Sequence, residues 1–287
     1  MGCAPVSGTR LCLVGLPGAG KTTFLAAFWA AVRDSSEVGS YKITRWPKDA
    51  RYLQKIADEW FEGKVVERNP SSSMEPIELD VQSTAGTAFS LRVPDLSGEA
   101  FRDAAADRQI DPRVAALVAE CELVLFFLSA ATATVPISLA DLAIDDEEEA
   151  EPDEEVADFD PDELETDVLN GELLQLLPAL TPTPEAPPPM AVIVSAWDTV
   201  DRVGLTPTEW LDKEQPMFGQ LLSEYRRNAP VAVIGISAQG ADYDKDPTVA
   251  RKPPAERPLV VTDHTRSTDI TAPLAWFDDQ LRDGHGG

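Results

Sequence analysis

Short apolar runs alternate with amphipathic stretches along most of this chain. Arg10 to Leu16 has the length and apolar character of a buried strand, and Phe24 to Trp29 behind it continues a helix from Lys21 to Arg33. Tyr52, Ile56 and Trp60 stand four residues apart, which predicts a helix with one buried face. Ile77 to Val81 and Phe89 to Val93 predict adjacent strands around the turn Thr84-Ala85-Gly86-Thr87. Val114 to Glu120 is expected to be helical. Leu123 to Leu128, Ala191 to Ser195 and Val231 to Ile236 are expected strands. Pro207 to Tyr225 predicts a helical region interrupted near Pro216, with Thr206 as its cap and Glu209 at the third position. A last helix is expected from Ile270 to Leu281, with Leu274, Phe277 and Leu281 facing inward. This alternation predicts an α/β protein, a three-layer α/β/α sandwich around a mostly parallel sheet.

The rhythm breaks at 133–189. Asp145-Asp146-Glu147-Glu148-Glu149 opens an acidic run, and prolines crowd the segment from Pro178 to Pro189, a stiff connector unsuited to helix or sheet. Within it, Leu164, Val168 and Leu173 to Leu177 suggest a short amphipathic helix. The expected organisation is a single domain over 1–287 with a partly disordered acidic and proline-rich insertion at 133–189. That insertion is either a solvated spacer or a partner-docking or autoinhibitory segment. A second irregular, locally basic stretch runs from Tyr243 to Pro258.

Charge sharpens the picture. The chain carries 24 Lys and Arg against 50 Asp and Glu, a net charge of -26, and no Lys or Arg occurs from Val114 to Asp201. This balance argues against non-specific nucleic-acid binding and against attraction to anionic membranes. Cys12 and Cys121 fall in apolar runs and suggest small buried hydrophobes. With Cys3 they give no disulfide framework. Met1-Gly2-Cys3 lacks the Ser or Thr at position 6 that myristoylation requires, since Val6 stands there, and no apolar run reaches membrane-spanning length. A cytoplasmic protein without direct membrane insertion is expected. The oligomeric state is not legible.

The chemistry concentrates at Gly15-Leu16-Pro17-Gly18-Ala19-Gly20-Lys21-Thr22-Thr23, which fits G-x-x-x-x-G-K-[ST] between a strand and a helix. Its glycines let backbone N–H groups turn around α and β phosphates. Lys21 is expected at the β and γ phosphates and the Thr22 hydroxyl on Mg²⁺. The following helix adds its positive end. Gly15, Pro17, Gly18, Ala19, Gly20, Lys21, Thr22 and Thr23 are thus the expected phosphate cradle. The competing reading is a glycine-rich turn with no ligand.

Two carboxylates follow strands. Asp95 in Val93-Pro94-Asp95-Leu96-Ser97-Gly98-Glu99 is a candidate for the Mg²⁺ shell, and Gly98 can aim its N–H at the γ-phosphate; the alternative is an ordinary strand-to-helix turn. Asp198 in Val194-Ser195-Ala196-Trp197-Asp198 can accept from guanine N1 and N2, or else cap the next segment. Ser237 and Ala238, after the next strand, can offer backbone N–H to guanine O6.

Taken in order, these motifs resemble the translation-factor-like and Ras-like (TRAFAC) class of P-loop GTPases. More narrowly, Phe24-Leu25-Ala26-Ala27-Phe28-Trp29 after the loop, Asp95 to Glu99 and Val194 to Asp198 resemble the bacterial double-GTPase proteins of multi-gene conflict or stress systems. The resemblance implies a Ras-like P-loop NTPase fold and a switch that binds Mg²⁺-GTP, hydrolyses it slowly to GDP, and meets a protein effector or activating partner. The chain departs from the usual pattern at three places. Ser195 stands for Asn or Thr, Ala196 replaces the Lys that packs over the base, and Glu99 replaces a water-orienting Gln. Glu99 either orients water or serves as the acidic first residue of the next helix.

The second Mg²⁺ hydroxyl is sought in Glu67-Arg68-Asn69-Pro70-Ser71-Ser72-Ser73, with Thr44 as competitor and Arg68 as a candidate cis arginine finger. Trp46, Trp60 and Phe61 suggest packing or a flap. His264 and His285 support no metal site. Two alternatives stay open. One is an ATPase or nucleotide kinase with an unidentified base pocket, for which Arg251 and Arg257 are the only clustered lid candidates. The other is a non-hydrolysing nucleotide-binding scaffold whose acidic insertion docks a partner.

Overall fold

The computed structural model describes residues 8–34, 41–48, 50–64, 66, 76–94, 98–134, 164–180, 186–201, 204–243 and 245–284. Cys3, the Glu67 to Ser73 segment, Asp95, the acidic run at 135–163 and His285 lie outside them.

Alternation along the strands explains the layers. In β1 (Thr9–Gly15), Leu11 and Leu13 enter one core while Cys12 and Val14 enter another. β5 (Leu123–Ser129) does the same, with Leu123, Leu125 and Phe127 on one side and Val124, Phe126 and Leu128 on the other. Strands apolar on both faces require cover on both faces, as parallel sheets do. One face is covered by α1 (Lys21–Asp34), α2 (Ala50–Phe61) and α9 (Ala272–Gly284). The other is covered by α3 (Glu99–Asp107), α4 (Pro112–Ala119), α5 (Thr166–Leu180), α6 (Pro207–Glu214) and α7 (Pro216–Tyr225).

Among the described residues the sheet has nine strands, in the order β2-β3-β4-β1-β5-β6-β7-β8-β9. β4 (Ala88–Val93), β1, β5, β6 (Met190–Ser195) and β7 (Val231–Ser237) run parallel through the centre, as expected. β2 (Tyr41–Arg45) and β3 (Ile77–Ser83) pair antiparallel at one side, β8 (Leu259–Val261) and β9 (Arg266–Ser267) at the other, so the whole sheet is mixed. β2, β8 and β9 were not expected. β2 buries only Tyr41, β8 is only three residues long and β9 is two exposed residues, so none carries an apolar run of ordinary strand length.

The expected helix boundary at Pro216 is real, and Thr206 and Glu209 form a reciprocal capping box at the start of α6. Two expectations change. α5 extends through Pro178 to Leu180, so the proline connector begins later than expected. A proline in the last turn forfeits one backbone bond, while Leu169, Leu173, Leu174 and Leu177 hold the helix on the core. The Tyr243 to Pro258 stretch contains α8 (Pro247–Ala250), capped by Asp246, and is not irregular throughout.

The residues flanking the acidic run meet. The Thr134 N–H donates to Thr166 Oγ1 at 2.8 Å and the Thr166 N–H to Thr134 Oγ1 at 2.9 Å. Next to this clasp, the fully buried Asp167 accepts from the Met217 and Phe218 N–H groups at 3.0 and 2.9 Å, satisfying two free donors at the start of α7.

Candidate nucleotide site

The loop between β1 and α1 lies at the carboxyl end of the central strand. Its chain turns on Ala19 N–H to Leu16 O at 3.2 Å, and Phe24 N–H to Gly20 O at 3.0 Å opens the helix. The Lys21 side chain is 3 % exposed and curls back over the loop, donating to Gly15 O at 2.6 Å and Leu16 O at 3.0 Å. Thr22 and Thr23 are half-buried in the first turn of α1. Pro17, Gly18 and Gly20 are likewise partly open, which suits a concave anion cradle.

Two distant segments press against this loop. Gly98, with φ 86°, precedes α3; a Cβ there would stand 2.6 Å from Lys21 Nζ, from Pro17 N and from Leu16 C. Gly20, also with φ 86°, meets Ser195 at the end of β6, where a Cβ would lie 2.6 Å from Ser195 Oγ. Segments around positions 20, 98 and 195 therefore meet in one place, and at both contacts only glycine leaves room. Asp95 lies outside the described residues. Glu99 is exposed in the first turn of α3 and forms an ion pair with Arg102 at 3.1 Å.

Beyond Ser195 the chain turns through Ala196, a non-glycine residue in the left-handed region at φ 52°, whose carbonyl accepts from the Thr199 N–H and hydroxyl. The turn sends neighbouring side chains different ways. Trp197 is 1 % exposed, packs on β7 at Gly235 and edge-on to Trp210, and donates from Nε1 to Asp201. It is a core residue and does not stack in the cleft. Asp201 is held by both guanidinium nitrogens of Arg266 at 2.7 Å. Asp198 is half-buried and, among the described residues, its carboxylate has no partner; the cap of the short helix at Trp197 makes no side-chain bond either.

Ser237 and Ala238 close β7. Ser237 Oγ accepts from the Gly240 N–H at 2.9 Å, and the Ala238 carbonyl accepts from Trp60 Nε1 at 3.0 Å. Arg257, a lid candidate from the sequence, is buried and donates to Trp60 O and Phe61 O at 2.8 and 3.0 Å, so it is committed to the end of α2. The Trp60–Ala238 tie escaped the sequence reading because 178 residues separate its partners. Thr44 is exposed on β2. Trp46 is exposed beside Trp29. Cys12 and Cys121 are buried free thiols, and a hydrogen bond with Cys121 together with burial pushes the Cys12 thiol well up from its ordinary range.

A strand, a phosphate-type loop and a helix at the centre of a helix-flanked mixed sheet define a P-loop NTPase. The model of the Double-GTPase 1 family matches residues 12–277, and the chain belongs to this family. It is a P-loop GTPase. Family membership implies guanine-nucleotide and Mg²⁺ binding. No curated protein matches in sequence.

Similar solved structures include a bacterial selenocysteine-specific elongation factor EF-Sec (9% identity, TM-score 0.41), covering 85% of this chain and 28% of that one. They include the signal recognition particle receptor SRb-GTP/SRX complex of Chaetomium thermophilum (14% identity, TM-score 0.38), covering 83% and 94%. A variant of Era from Aquifex aeolicus bound to GDP.AlF4- gives 12% identity, TM-score 0.37, and coverage of 89% and 62%. The chain spans about a quarter of the first of these and under two thirds of the third. No helix among the described residues is long and apolar enough to cross a membrane.

Proposed function

We propose that the Gly15 to Thr23 loop, Gly98 and the Ser195 to Asp198 turn form one Mg²⁺-GTP site that operates as a switch. The observation that carries this reading is the meeting of Gly98 with Lys21 and of Ser195 with Gly20 around one loop. The residue types fit the ligand: an ammonium sits over the loop, threonine hydroxyls open α1, and a partnerless carboxylate lies beyond the turn at Ala196.

In this reading Lys21 holds the β and γ phosphates, and the Gly18 to Lys21 backbone wraps the α and β phosphates. Thr22 and Asp95 would hold Mg²⁺, which when bound would supply charge neutralisation to the phosphates. The Gly98 N–H meets the γ-phosphate and links it to α3. Asp198 accepts from guanine N1 and N2, and the Ser237 and Ala238 backbone reads O6. Water attacks the γ-phosphorus in line, the bond to the β–γ bridging oxygen breaks, and GDP leaves with that electron pair. The water's proton ends on the released phosphate.

Glu99 suits the helix-stabilising role better than the water-orienting one. It lies at the positive end of α3 and is paired with Arg102. Slow intrinsic turnover follows, with acceleration assigned to a protein partner. A cytoplasmic setting within a bacterial conflict or stress system, and partner docking by the acidic run, complete the proposal. Phosphate release from GTP by the purified chain tests it. Turnover is expected with Mg²⁺ and should fall at least about a hundredfold with excess EDTA, the scale of losing a charge clamp on the transferring phosphoryl group. Equal rates with and without EDTA would overturn the metal-assisted mechanism.

A further inference from the structure

The turn after β7 is held by more than its own backbone. Ala238 O accepts from Trp60 Nε1 at 3.0 Å, and the Trp60 indole is 2 % exposed. The Arg257 guanidinium lies 5.4 Å from the centre of that indole and donates to the Trp60 and Phe61 carbonyls, closing the end of α2. Its Nε donates to Lys252 O at 2.9 Å, which ties the same group to the segment after α8. The Arg257 carbonyl in turn lies against Gly240, where a Cβ would stand only 1.9 Å away. Trp60, Arg257 and the 237–240 turn therefore form a closed ring of contacts, built from three parts of the chain.

The ring fixes a direction. All peptide bonds here are trans, so an Ala238 carbonyl anchored on Trp60 turns the Gln239 N–H the opposite way. We propose that Trp60 and Arg257 are positioning residues for base selectivity, acting by locking the 237–240 turn, whose Ser237 and Ala238 N–H groups read the purine 6-position. This rests on the guanine reading of the 237–238 turn. A purine with an oxo group at C6 needs donors there. An amino group at C6 does not accept, so a turn locked with its N–H groups toward the base favours guanine over adenine. The same tie joins the base side of the cleft to α2, which covers the sheet face opposite to that covered by α3.

The test compares wild-type chain with Trp60→Phe, which keeps an apolar ring and loses the indole donor together with part of the ring's volume, and with Arg257→Lys, which keeps the charge and loses the fork. Affinities for Mg²⁺-GDP, Mg²⁺-ADP and inorganic tripolyphosphate are measured below both variants' melting temperatures. The expected result is a fall of about fivefold in the GDP-over-ADP preference, the scale of one neutral hydrogen bond, with tripolyphosphate binding unchanged. A merely structural role would lower all three affinities together, and that result would overturn the proposal. So would an unchanged preference in both variants while Asp198→Asn still abolishes it, which leaves the guanine reading intact. A wild-type chain with no GDP preference removes the guanine reading itself, and this inference with it.

Discussion

Lys21→Ala is expected to lower GTP turnover by about a thousandfold or more, the loss that follows removal of a preorganised charge from a transferring phosphoryl group. The side chain is buried over the loop and held by Gly15 O and Leu16 O, so its ammonium is positioned before any substrate arrives. Preorganisation is what makes such a charge effective, because little reorganisation remains to be done during the reaction. The substitution strands two carbonyls that lose their donor, at about 1–3 kcal/mol for a buried unsatisfied group. The domain should therefore still fold, with a lower melting temperature. Single-turnover phosphate release beside a thermal melt checks both halves. A variant that melts lower yet hydrolyses GTP normally would exclude Lys21 from the site.

Gly98→Ala should be the next most damaging change. The added methyl would stand 2.6 Å from Pro17 N and Leu16 C, backbone atoms that cannot swing aside, and from Lys21 Nζ, which can. The left-handed φ of 86° adds strain of about 1–3 kcal/mol for a residue with a Cβ. The start of α3 must then retreat from the loop. Because Gly98 is assigned to the γ-phosphate, hydrolysis should fall by about a hundredfold, as for loss of one oriented backbone donor. GDP affinity should fall less than about tenfold, since GDP lacks the group Gly98 contacts. Turnover assays paired with GDP titration separate the two. Equal losses in GDP affinity and turnover would mean that the substitution damages the whole loop instead of the γ-phosphate contact.

Much of the fold was legible because it is carried by short-range patterns. β1, β5, β6 and β7 are unbroken apolar runs, buried on both faces, and their helices announce themselves through period and caps such as Thr206 and Asp111. The edges were not legible. β2 alternates with mostly exposed residues, β8 is three residues long and β9 two exposed residues, too short to carry a strand pattern. α5 was underestimated because Pro178 signals a break that packing of the last turn overrides.

At the candidate site, motif order and spacing singled out the loop, Gly98 and Asp198 as candidates. What they left out is mutual position. Nothing local in the sequence tells that Ser195 lies against Gly20, that Trp197 turns into the core, or that Arg257 closes α2. Those facts arise from contacts between residues far apart in the chain.

Asp198 is proposed to read guanine in a site built on the P-loop. Its most direct test is competitive binding of Mg²⁺-GTP, GDP, ATP and xanthosine triphosphate to nucleotide-stripped wild-type chain and Asp198→Asn. The wild-type chain should prefer GTP and GDP over ATP by at least about tenfold, roughly 1.4 kcal/mol. Asp198→Asn should lose that preference and gain affinity for the xanthine nucleotide, whose 2-oxo group accepts from the new amide. ATP binding equal to or better than GTP binding, and unmoved by Asp198→Asn, would contradict the account and leave the base pocket elsewhere.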